Sequence, residues 1–121
     1  MPYIVGTSLP STLEMSAGSV RSSISTTTST SESVLISVPK DDFRSVNYQI
    51  QAVQGANYNT TTINVVHDGT NTYMSEFGTI NEPVGISTFS TDIAADNLRL
   101  LGYPASTSST TFKIVFTAIN W

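Results

Sequence analysis

With 121 residues the chain has room for one hydrophobic core, and so for one domain. Charged residues make up 12% of it, about half the usual share, and its net charge of -4 comes from scattered groups. No cluster of Lys and Arg is present to neutralise phosphates, which argues against a nucleic-acid partner. No apolar run nears the roughly 20 residues that cross a bilayer, so no membrane partner is expected either.

Serine and threonine replace the missing charges, at roughly three residues in ten. A surface of that kind is polar yet nearly uncharged, and a neighbouring subunit can cover it without stripping water from ions. The chain has no cysteine, so its stability must come from packing or from oligomerisation rather than from disulfides. Met1 to Leu9 lack the basic start and the long apolar stretch of a signal peptide. The protein is therefore expected to be made and kept in the cytoplasm, or to leave the cell by a route such as lysis.

Residues 1–31 read as an extended N-terminal arm, rich in Ser and Thr, with Ser22 to Ser31 almost free of apolar anchors. Its sparse apolar residues, among them Ile4, Val5, Leu9, Leu13 and Val20, are too few for a core and suit docking onto another protein. Residues 32–121 read as a β-domain. Strands are expected at 33–38, with Val34, Ile36 and Val38 inward, then at 46–52, where Val46, Tyr48, Ile50 and Ala52 alternate with amides. Further strands are expected at 60–67 around Ile63 and Val65, at 72–78 around Tyr73 and Phe77, at 85–93 around Phe89 and Ile93, and at 97–103 around Leu98 and Leu100. The last, 112–119, buries Phe112, Ile114, Phe116 and Ala118 and sets Val115 and Ile119 opposite. A strand apolar on both faces is central in its sheet or covered by a partner.

Turn chemistry separates these segments at Gln54-Gly55-Ala56-Asn57, at Asn81-Glu82-Pro83, at Asp96-Asn97 and at Tyr103-Pro104. Asp68-Gly69 is the strongest hairpin signal, because glycine accepts the positive φ that tight turns need. About seven strands at ten-residue spacing predict an all-β fold, a single sandwich or barrel of jelly-roll or immunoglobulin-like type.

Residues fit for catalysis are scarce. His67, the single histidine, precedes Asp68, as a base oriented by a carboxylate would; a strand end before a glycine turn explains it more simply. One His without Cys does not make a usual zinc site, and no phosphate-cradling glycine loop or G-x-S-x-G elbow occurs. Asp41-Asp42 suits a polar turn better than calcium, Asp92 and Asp96 suit a cap and a turn, and Glu76 suits a solvated face. Neither a catalytic residue, a metal nor a cofactor is expected. Tyr48, Tyr58, Tyr73 and Tyr103 would serve a glycan only if they converged. Trp121 either folds back on the core or anchors in a neighbouring subunit, and Asn59-Thr60-Thr61 has the form of a glycosylation acceptor.

From Phe43 to Ile119 the chain resembles a β-rich module of structural proteins in marine tailed phages, those of cyanobacteria especially. The resemblance rests on features in one order: Val46-Asn47-Tyr48-Gln49-Ile50-Gln51-Ala52, His67-Asp68-Gly69-Thr70, Glu76-Phe77-Gly78-Thr79, Phe89-Ser90-Thr91-Asp92-Ile93, Asn97-Leu98-Arg99-Leu100-Leu101, and Phe112 to Ile119. In those phage proteins the module often closes larger tail or fibre chains. The resemblance implies a non-enzymatic virion protein, assembled in the host cytoplasm. With a short arm and no fibre shaft, the expected role is a capsid decoration or cement protein, docked on the major capsid protein through the arm and trimeric. The alternative is a tail, neck or fibre component that joins other virion proteins or binds a host receptor or glycan.

Overall fold

The computed structural model describes residues 12–121, and these form an all-β sandwich of nine antiparallel strands without a helix. The strands are β1 (Thr12–Glu14), β2 (Gly18–Thr27), β3 (Ser33–Pro39), β4 (Phe43–Gln54), β5 (Asn57–His67), β6 (Thr72–Glu82), β7 (Ser87–Ala94), β8 (Asn97–Pro104) and β9 (Thr110–Asn120). Six make one sheet in the order β1-β2-β9-β4-β5-β6, and three make the other in the order β3-β8-β7. The chain crosses between sheets at β3, returns for β4 to β6, crosses again for β7 and β8, and ends on β9 in the middle of the large sheet.

Alternation decides which side chains meet in the core. In β4, Val46, Tyr48, Ile50 and Ala52 point inward, and the facing residues of β9 are Phe112, Ile114, Phe116 and Ala118. Ile63 and Val65 of β5 continue this layer, while Ile36, Val38, Leu98 and Leu100 close it from the small sheet. Phe89 of the small sheet meets Phe112 of the large one edge-on at 6.0 Å, and Tyr48 and Phe116 lie 5.5 Å apart on neighbouring strands of the large sheet. The Tyr48 hydroxyl is the one buried side-chain polar atom without a partner among the described residues, and burial raises its pKa.

Short loops follow the local chemistry. Gly55 has φ +59° in the two-residue β4–β5 turn, and Ala95 and Asp96 both take positive φ between β7 and β8, as tight hairpins require. Asp68 organises the β5–β6 loop by accepting from the Thr70 and Asn71 amides and from the Tyr73 hydroxyl. These bonds hold its carboxyl below the usual range, the Asn71 amide first among them.

Several expectations need correction. The arm does not stand apart over its described part: Thr12–Glu14 pairs with β2, and all of Gly18–Thr27 is laid along β9. That strand lacks an apolar stripe because its backbone bonds to β9 place it in the sheet, and serine and threonine side chains fit at its rim. A bulge between Val34 and Ile36 turns Val34 outward and buries Leu35 in its stead. Tyr73 and Phe77 face solvent, since β6 is an edge strand and they fall on the side away from the core. Asp92 is no helix cap but lies within β7, forked to Arg99 by bonds of 2.7 and 2.6 Å.

Candidate functional site

Among the described residues, the largest feature without a partner is the outward face of the six-stranded sheet. Registers across the sheet set its side chains in rows, with successive rows about 7 Å apart along the strands. One row runs Ile119, Ser45, Val66, Tyr73; the next runs Leu13, Val20, Thr117, Asn47, Asn64, Ser75. The third holds Ser22, Val115, Gln49, Thr62 and Phe77, and the fourth Ile24, Lys113, Gln51, Thr60 and Ile80. The last row is Thr26, Thr111, Val53, Tyr58 and Glu82.

Only Lys113 and Glu82 carry charge on this face, both toward one end. Most of its apolar side chains are open to solvent, from Leu13 at 38% to Ile80 at 65% and Ile24 at 71%, while Val20 and Val53 are half-buried. Asn47 donates its side-chain amide to Asn64, which takes up polar groups in the middle of the second row. Around that pair a shallow trough of about 540 Å³ is lined by Val66, Tyr73, Thr117 and Ile119 among others. Such a face is nearly uncharged and leaves apolar groups uncovered, which favours contact with another surface over binding of an ion or a charged ligand.

Of the five residues expected to dock the arm, Ile4, Val5 and Leu9 lie outside the described residues. Leu13 and Val20 are directly paired and sit on this same face. The sequence did not pick out Ile80 or the hydroxyl and amide rows, because they join only through sheet register. The available signal was Val115 and Ile119, apolar on the side of β9 opposite its core residues.

The other candidates resolve into structural roles. His67 is buried; its Nε2–H donates to the Phe43 carbonyl at 2.6 Å and its Nδ1 accepts from the Gly69 amide at 3.0 Å. Asp68 turns away from it into the loop. Trp121 folds back on the rim, with the Arg44 guanidinium 3.4 Å above its ring and the His67 ring 5.2 Å away. Asp41 pairs with Lys40 at 3.1 Å. Among the described residues no three His, Asp or Glu side chains converge as metal ligands would. Asn59 is buried, donates to the Tyr58 and Val84 carbonyls and accepts from the Ile86 amide, so in the folded chain it is closed to a glycosylating enzyme. The four tyrosines do not converge: Tyr48 is in the core, Tyr58 and Tyr73 lie at opposite ends of the large sheet, and Tyr103 bonds Ser90 on the small one.

No family model matches the chain, and no curated protein matches it. Among solved structures it is similar in fold to the tailspike protein of Acinetobacter phage vB_ApiP_P1, with a TM-score of 0.51 and 18% identity. The match covers 99% of this chain and 25% of that one, so the chain spans about a quarter of the tailspike's length.

Proposed function

We propose that the chain is a non-enzymatic structural module of a tailed-phage particle, located in the tail and working as an assembly surface. The observation that carries this reading is the outward face of the six-stranded sheet, almost uncharged and with apolar side chains in every row. The fold likeness to one quarter of a tailspike chain supports the tail over the head, and so does the resemblance of Phe43 to Ile119 to modules in tail and fibre proteins. Capsid decoration, the first expectation from the sequence, relied on a free arm; in the structure Gly18–Thr27 is part of the body. The absence of a converged aromatic platform favours an adaptor or spike-body role over glycan capture.

Electron microscopy of particles labelled with antibodies raised against the protein tests the location. Gold confined to the tail is the expected result. Gold in a regular array over the head would restore the decoration reading, and unlabelled particles would remove the protein from the virion.

A further inference from the structure

We infer that the outward face of the six-stranded sheet is closed by the same face of a second copy of this chain. This names the partner of the assembly surface just proposed, and its test does not depend on where in a particle the protein resides.

Two observations select a second copy. The first is charge. The chain as a whole is negative, at -4, yet this face carries one Lys and one Glu. A charged partner surface would find almost nothing to pair with there, and its ions would be desolvated without compensation. A copy of the face itself brings the same hydroxyls, amides and apolar groups. Face-to-face packing of identical sheets places a two-fold axis between them, and we take it through Gln49, the middle of the five rows on the central strand, either along or across the strands. Along the strands, that axis sets Lys113 opposite Thr60 and Glu82 opposite Thr26. Across the strands, it sets Lys113 opposite Thr117 and Glu82 opposite Tyr73. Neither arrangement brings a charge against its own copy.

The second observation is size. Five strands spaced about 4.8 Å and five rows spaced about 7 Å span roughly 800 Å². That is about what one partner contributes to a stable protein interface of standard size. The rows also alternate tall side chains (Val115, Phe77, Ile119, Tyr73) with short ones (Ser45, Thr62, Ser75), which lets two such faces interdigitate as the inner faces of a sandwich do.

Sedimentation equilibrium of the full chain is the test, with Val115→Lys and Ile119→Lys as the disruptive variants and Val34→Lys, on the small sheet, as the control. The expected result is a dimer for the parent and the control, and at least tenfold weaker association for the two face variants with unchanged circular dichroism. The chain has no cysteine, so Gln49→Cys adds a second readout. A short bis-maleimide matched to the roughly 10 Å spacing of packed sheets should link two Gln49→Cys chains efficiently and two Val34→Cys chains poorly. A parent chain that stays monomeric at about 100 μM overturns the inference. Association that the face variants leave intact, or a trimer that Gln49→Cys fails to link, overturns it as well. Tail labelling with a monomeric chain would refute the self-contact while leaving the tail reading standing.

Discussion

On the outward face of the three-stranded sheet, Arg99 holds Asp92 in a fork and reaches Glu32 at 3.7 Å, and Tyr103 bonds Ser90. On the outward face of the six-stranded sheet, Lys113 has no ion-pair partner among the described residues, and Ile24, Ile80 and Ile119 are more than half exposed. Both faces cover the same core, so packing alone does not account for the difference. Ions are stable where water can reach them and costly where a neighbour excludes it. The small sheet is finished for solvent, whereas the large one keeps ions away from its middle, as a surface meant to be covered would.

The largest test of this comparison lies on one strand. Ile114 and Val115 are neighbours on β9 that point to opposite sides. Ile114→Ala should cost about 2–5 kcal/mol by chemical denaturation in dilute solution, because it opens a cavity in the buried core cluster beside Ile50. Val115→Ala should stay within about 0.5 kcal/mol under the same conditions. Equal losses would mean that the outer face is already packed in the single chain.

That inside-outside division was legible in the sequence wherever a strand alternates cleanly. Val46 to Ala52 and Phe112 to Ile119 show their buried sides by period two, and Asp68-Gly69 marks its hairpin. The division failed where tertiary pairing overrides composition. Gly18–Thr27 has no apolar stripe, and only β9 as a partner makes it a strand. Val34 was displaced by a bulge, and Tyr73 and Phe77 by the edge position of β6, neither of which a local pattern records. Beyond Leu13 and Val20, the site was visible only through Val115 and Ile119, since rows that run across four to six strands exist in register and not in any stretch of chain.

A smaller effect should separate the two faces by salt. The Arg99 cluster is partly exposed, so Arg99→Met should lower stability slightly, and less in high salt, while Lys113→Met should leave it nearly unchanged at any ionic strength. Similar, salt-dependent losses at both sites would erase the contrast. Between the two faces, Tyr48→Phe removes a buried hydroxyl that has no partner, and thermal unfolding should show it neutral or stabilising by up to about 1 kcal/mol. A clear loss would point to a water or partner on that hydroxyl.

The smallest expected effect is at Asp68, whose carboxyl is held below its ordinary range by the Asn71 and Thr70 amides and the Tyr73 hydroxyl. A lowered folded-state pKa contributes stability that is present above the unfolded value and is lost as pH falls through the folded one. Asp68→Asn should therefore lower stability at neutral pH and flatten its decline below about pH 4, where the parent loses the same contribution by protonation. An unaltered acid limb would show that the loop bonds contribute nothing to folding.

The most direct test of the central claim compares thiol reactivity at positions 49 and 34 in assembled particles and in the dilute isolated chain. The account predicts that Gln49→Cys reacts freely with a maleimide when isolated and is protected after assembly, while Val34→Cys reacts in both states. Equal reactivity at position 49 before and after assembly would contradict it, for the six-stranded face would then remain open to water in the particle.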